Sequence, residues 1–220
     1  MATEQRAAPE TLADLVEQLG GLPLERIRMK PLPGLATEED VVGASAGPRK
    51  RVCELIDGVL VEKVLGSREG LLGGLLVHLL WSFLDNHRLG KALPGDAWLR
   101  LAPGLVRVPD VAFVSWKSLP DGKFPRTRVA EVVPDLAVEI LSEGNTSAEI
   151  DRKIREYFLA GSKLVWVIDP RKETARVYRA PDQFRRVGKT GELDGEDVLP
   201  GFRLPLRDLF ARADEEEPLP

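Results

Sequence analysis

One cysteine, Cys53, and two histidines, His78 and His87, are all that this 220-residue chain offers to a thiolate or imidazole centre. A lone cysteine excludes an intramolecular disulfide and every multi-cysteine zinc site, and it points to a reducing cytoplasm as the compartment. Cys53 lies in RVCELIDG beside apolar neighbours and reads as a buried strand residue rather than a nucleophile. His78 reads as a core histidine of an apolar helix, because no second His, Cys or acid stands at metal spacing beside it. His87, between Asn86 and Arg88, reads as a helix-end residue.

Long hydrophobic runs are also missing. The uncharged stretch from Gly70 to Leu84 is shorter than the roughly 20 residues a spanning helix needs, so no membrane association is expected. The opening MATEQRAAPE has no basic stretch leading into an apolar core, so no secretory signal is expected. Positive charge is not in excess either: the formal net charge is −4, and four of the negatives are Asp214 to Glu217 in the tail. Contact with nucleic acid must therefore come from local basic patches such as Arg49 to Arg51, Lys123 to Arg128, Arg152 to Arg155 and Arg171 to Arg186. The glycines form no phosphate-cradling loop, which argues against an NTPase. Aromatic residues make up 6% of the chain, too few to favour the aromatic cleft of a carboxylate-pair sugar hydrolase.

What the chain does contain is a succession of short β-prone runs and amphipathic helices, an α/β pattern with 43% hydrophobic residues and an ample core. Thr11 with Asp14 opens a first helix that Gly20-Gly21 ends, and Thr37 with Asp40 caps a second. These helices define an N-terminal extension, residues 1–47, ahead of a main domain at 48–212 and an acidic tail at 213–220. RVCELI and VLVEKV, joined by Asp57-Gly58, predict a tight hairpin. A long leucine-rich helix from about Glu69 to Asn86 follows, then the strands DAWLRLAP and GLVRVPDVAFVSW, separated by Pro103-Gly104. LAVEIL leads through SEGNTS, where Asn145, Thr146 or Ser147 can cap, into a helix from about Ala148 to Leu159. LVWVI and TARVYR predict a second hairpin, and FRLPLRDLF a peripheral strand with a closing turn or helix.

Two carboxylates stand out from this pattern. Asp110 and Glu139 each sit at or inside a β-branched run, where a strand projects an acid rigidly. Glu139, flanked by Val138, Ile140 and Leu141, is costly to bury without a cation, a proton or a donor. Hard-oxygen acids with a nearby lysine suit phosphoryl chemistry with Mg2+ or Mn2+. Asp110 and Glu139 are the candidate metal ligands, with the backbone carbonyl of Ile140 as a third. Lys153 is the candidate for polarising water or holding phosphate, and Glu54 for completing the acidic cluster. Asp135 reads as a strand-start residue, Asp169 as a turn-former, Trp166 as core, and Glu149 and Asp151 as exposed helix charges.

Five segments in order, CELIDGVLVEK, VRVPDVAFVSW, PDLAVEILSEGNT, DRKIREYFLAGSKLVWVIDP and VLPGFRLPLRDLF, resemble the bacterial Uma-type family of restriction-endonuclease-like proteins on the PD-(D/E)XK nuclease fold. The resemblance covers roughly Arg51 to Phe210 and implies a mixed β-sheet flanked by helices. It places the motif aspartate on Asp110, the motif glutamate on Glu139 and the hairpin acid on Glu54. The superfamily lysine normally stands two residues after the glutamate, a place taken here by Leu141, and Lys153 on the next helix is the family-like substitute. The expected function is metal-dependent endonucleolytic cleavage of DNA, with a homodimer suited to cutting two strands. The alternative is a catalytically inactive nuclease-fold protein that binds nucleic acid or a protein partner.

Overall fold

A computed structural model describes residues 9–46, 50–64 and 66–215. The boundary expected near Pro48 and the tail residues Glu216 and Glu217 lie outside the described residues. Helix α1 (Leu12–Gln18) begins with the expected capping box: Asp14 N–H donates to Thr11 Oγ1 at 3.2 Å and Thr11 N–H to Asp14 Oδ2 at 2.9 Å. Helix α2 (Glu38–Ala46) starts beside Thr37, whose N–H and hydroxyl both reach Asp40 Oδ2 at 2.8 Å.

The Asp57-Gly58 turn joins β1 (Cys53–Ile56) to β2 (Val59–Glu62), with positive φ at both turn residues, 51° and 73°. That is the primed-turn geometry that matches strand twist. Helix α3 (Ser67–His87) buries Leu72, Leu76, Leu80 and Leu84, an i, i+4 stripe that fixes its sheet-facing side. His78 falls off that stripe and is exposed, which corrects its reading as a core histidine.

The stretch GLVRVPDVAFVSW is not one strand. It divides at Val108-Pro109-Asp110 into β5 (Leu105–Arg107) and β6 (Val111–Ser115), which belong to different sheets. Pro109 has no N–H to offer a ladder, so pairing stops there, and Asp110 N–H starts the next ladder on Val138 O at 2.9 Å. A strand absent from the sequence reading, β3 (Gly90–Pro94), pairs with β6 along the sheet edge. Its bounding Gly and Pro make it resemble a turn in sequence, and an edge position tolerates both.

With β4 (Trp98–Ala102) and β7 (Val129–Ala130), the first sheet has the order β2-β1-β5-β4-β7. The second comprises β8 (Leu136–Ile140), β9 (Leu164–Asp169), β10 (Thr174–Ala180) and β11 (Gln183–Val187) with β6 and β3, in the order β11-β10-β9-β8-β6-β3. Only β8 and β9 run parallel in it, and α4 (Ser147–Ala160) is the crossover between them. A small hairpin of β12 (Glu192–Asp194) and β13 (Arg203–Pro205) leads into α5 (Leu206–Ala213).

Two cores flank the second sheet. On one face α3, α5 and the closing hairpin pack over Val138, Ile140, Trp166 and Val177. On the other, Ile150, Ile154 and Tyr157 of α4 pack with Ala137, Val165 and Val167, against Leu99 and Leu101 of the first sheet. Cys53 is fully buried and its thiol is pushed up to about 11, chiefly by that burial and by Glu62. Helix α4 is therefore wedged between the two sheets, and its inward face meets the strands that carry the acids.

Candidate active site

Glu139 is the fourth residue of a five-residue strand, and alternation turns its side chain away from the Val138 and Ile140 face toward α4. Lys153 and Tyr157 lie one helical turn apart on the inward face of α4. They meet Glu139 there: Lys153 Nζ donates to Glu139 Oε2 at 2.9 Å, and Tyr157 Oη donates to Glu139 Oε1 at 2.6 Å. The same ammonium is 3.3 Å from Glu54 Oε1 on β1. Helix α4 thus brings one ammonium against acids from both sheets.

Glu54 is buried to 1% exposure and fully engaged. Arg107 Nη1 donates to its Oε2 at 2.7 Å, and Val108 N–H donates to Oε1 at 3.0 Å. Arg107, also at 1%, passes its Nε to Glu156 at 2.7 Å, so one guanidinium ties β1 and β5 to α4.

Asp110 occupies the turn from the first sheet into the second. Its Oδ2 accepts Ile140 N–H at 2.6 Å, and its Oδ1 lies 2.9 Å from Lys63 Nζ. Ile140 thus enters the site through its amide. Lys63 also donates to Val108 O at 2.7 Å and Gly95 O at 3.3 Å. Asp110 keeps 17% side-chain exposure, whereas Glu139 and Lys153 keep 3–4%, so the cluster opens to solvent on the Asp110 side.

Three acids, Asp110, Glu139 and Glu54, therefore face three cations, Lys63, Lys153 and Arg107. Burial pushes the Glu54 carboxyl up, but Lys153 and Arg107 outweigh it and hold the group at about 2. For Glu139 burial dominates, and Asp110 and Glu54 repel its charge, so its proton affinity is raised despite Lys153. Burial disfavours the Lys153 ammonium, yet Glu139 and Glu54 overcome that and raise it. These two shifts oppose each other within one pair. Two carboxylates favour the Lys153 ammonium, while burial with Asp110 and Glu54 favours a proton on Glu139 against the pull of Lys153 and Lys63. Lys153 meets the site as a hydrogen-bond donor and a positive charge. Tyr157 is held protonated by burial and by Glu139, which fixes it as a donor too.

The other candidates fall outside this cluster. Asp135 is a structural acid at the start of β8, accepting Ser115 N–H at 2.7 Å, the Ser118 hydroxyl at 2.9 Å and Lys163 at 2.6 Å. Asp169 accepts the N–H groups of Arg171 and Lys172 at 3.1 and 3.2 Å and shapes the turn after β9. Trp166 is fully buried in the core. Glu149 corrects its reading as an exposed helix charge: it is buried at 3% and held bidentately by Arg26 at 2.7 and 2.9 Å. Thr146 is the α4 N-cap, with Glu149 N–H on its hydroxyl at 3.0 Å. Lys63, Arg107 and Tyr157 were not singled out from sequence. The signal was available for Lys63, a charge inside the apolar alternation VLVEKV, the same argument that picked out Glu139.

Hydrolysis assisted by Mg2+ or Mn2+ requires an all-oxygen donor set. Asp110 and Glu139 meet that chemistry. Each of their oxygens accepts one hydrogen bond or ion pair, leaving a second lone pair on each. Among the described residues, no three His, Cys, Asp or Glu side chains gather at metal-ligating spacing. A divalent ion held by these two acids would take its remaining donors from backbone or water.

A mixed sheet with a parallel pair bridged by an α-helix, and Glu139 presented from it toward that helix, defines a restriction-endonuclease-like α/β fold. The family model for Uma2, described as "Putative restriction endonuclease", matches residues 45–207, and the chain belongs to this family within the PD-(D/E)XK-like superfamily. A crystal structure of a "putative nuclease belonging to DUF820" from Anabaena variabilis is similar, with a TM-score of 0.66 at 18% identity over 76% of this chain and 94% of that one. At that identity the likeness shows the shared fold. No curated protein matches the chain. Among the described residues no helix is long and apolar enough to cross a membrane.

Proposed function

We propose that the protein is a divalent-metal-dependent endonuclease that hydrolyses DNA phosphodiester bonds at the Asp110–Glu139–Lys153 cluster. The observation that carries the reading is the ammonium of Lys153 against Glu139 at 2.9 Å, which supplies from α4 the cation that Leu141 cannot. Asp110 and Glu139 would hold Mg2+ or Mn2+, which when bound supplies Lewis-acid stabilisation of the phosphoryl oxygens and an activated water. Asp110, the most exposed of the three acids, faces the side from which substrate arrives. Lys153 places fixed positive charge where the phosphorane develops negative charge. Glu54 and Arg107 set the position and charge of Lys153 from behind. Tyr157 fixes one Glu139 oxygen so that the carboxylate cannot rotate.

A second reading, a nuclease fold that binds without cutting, is favoured by one observation: Lys63 pairs directly with Asp110, where it competes with a metal for the same oxygen. Calorimetric titration with Mn2+ separates the two. The nuclease reading predicts saturable binding that disappears in Asp110→Asn. Absence of binding in wild-type protein favours the non-catalytic one.

A further inference from the structure

The row of residues across the second sheet at the level of Glu139 leads away from the cluster to two arginines. Glu139 pairs with Val167, Val167 with Arg176, and Arg176 with Arg186. In-register neighbours point to one face of a sheet, so both guanidiniums rise from the face that carries Glu139. Three strand spacings of about 4.8 Å put Arg186 roughly 14 Å from Glu139, with the α4-covered Val167 between them. A groove of about 450 Å3 lies along this row, lined by Leu141, Val167, Thr174, Arg176 and Arg186, with Lys172 on its wall.

The arginine pair is held by ring contacts rather than by acids. Like charges directly opposite on adjacent strands are destabilising, and among the described residues neither Arg176 nor Arg186 has a carboxylate within ion-pair distance. Protection of an open sheet edge explains Arg186 on β11 but not Arg176, one strand further in. The one acid in the groove, Asp169, is engaged by Lys172 at 3.4 Å and by the turn amides. Both guanidiniums lie over rings, Arg176 at 5.6 Å from Tyr178 and Arg186 at 5.8 Å from Phe184, which restricts them to the open face. Phe184 is itself 42% exposed beside them.

We infer that Arg176 and Arg186 form a docking platform for the phosphate backbone of a nucleic-acid strand lying in this groove beside α4. This takes the identity of the strand from the nuclease reading, but it makes a separate demand on binding. Backbone contacts position the strand and carry little sequence information.

The test is fluorescence anisotropy with a labelled 20-nucleotide DNA, single-stranded and duplex, in chelator over a series of salt concentrations. Arg176→Gln/Arg186→Gln is compared with wild type and with Arg207→Gln/Arg212→Gln on α5. The platform predicts that the first pair raises Kd at least about tenfold and lowers the salt slope by about two, while the α5 pair changes neither. Thermal denaturation checks that the first pair remains folded. Wild-type affinity and slope in Arg176→Gln/Arg186→Gln overturns the inference, as does a wild-type protein that binds neither DNA. Because cutting is not read, failure of the nuclease reading appears separately, as binding through the platform without metal-dependent cleavage.

Discussion

Lys153 and Glu139 stand fourteen positions apart in the chain and 2.9 Å apart in the fold, both almost fully buried. Breaking such a pair from one side leaves a charge without compensation. Lys153→Met should therefore destabilise the protein by about 3–5 kcal/mol. Adding Glu139→Gln should return part of it, with a coupling of roughly 1–3 kcal/mol in a double-mutant cycle followed by urea denaturation. Additive effects would show that the contact is not an energetic pair.

Glu54 makes stability depend on pH with a definite sign. Its folded carboxyl sits at about 2 against an ordinary 4.5, so its contribution is fully present above about 4.5 and is lost as pH falls toward 2. The shift corresponds to an upper bound of about 3 kcal/mol. Denaturant midpoints of wild type and Glu54→Gln should differ most at pH 6 to 7 and converge toward pH 2 to 3. A gap that stays constant across that range contradicts the assignment.

Arg107 is a bridge that depends on its forked shape. It donates to Glu54 through Nη1 and to Glu156 through Nε, each at 2.7 Å. Lysine keeps the charge but cannot serve both acids with planar geometry, so Arg107→Lys should cost about 2–4 kcal/mol. Thermal or chemical denaturation of this variant reads the loss directly, and a stability equal to wild type would show that charge alone suffices.

Gly20 closes α1 against the start of α4. Its φ is +88°, and a Cβ there would come within 2.8 Å of the Glu149 backbone nitrogen. Gly20→Ala should destabilise by about 1–3 kcal/mol, because strain and contact act together. Gly21→Ala is the control: its φ is +69°, but the added Cβ meets nothing within 4 Å, so its loss should be smaller.

Much of this arrangement could be read from the chain before folding. The Asp57-Gly58 hairpin, the leucine stripe of α3 and the Thr11 cap follow from local chemistry, and the structure shows each of them. Asp110, Glu139, Glu54 and Lys153 were visible as charges in apolar or motif settings, and the fold brings them together around one ammonium and one sheet turn. What escaped was the set of partners. Lys63 reaches Val108, 45 positions away, only because Pro109 turns the chain between sheets. Arg26 finds Glu149 at a separation of 123. Such pairings depend on where sheets meet, and no local period encodes them. For the same reason Glu149 looked exposed, since its partner lies beyond the main domain as read from the sequence.

Metal-dependent cleavage at the Glu139 cluster can be read from supercoiled plasmid incubated with wild type or Glu139→Gln, in Mg2+, Mn2+ or chelator. Nicked and linear products are expected from wild type with metal only, and at least about a hundredfold less from a folded Glu139→Gln. Equal cleavage by the two proteins, or no cleavage by folded wild type with either metal, would contradict the nuclease reading.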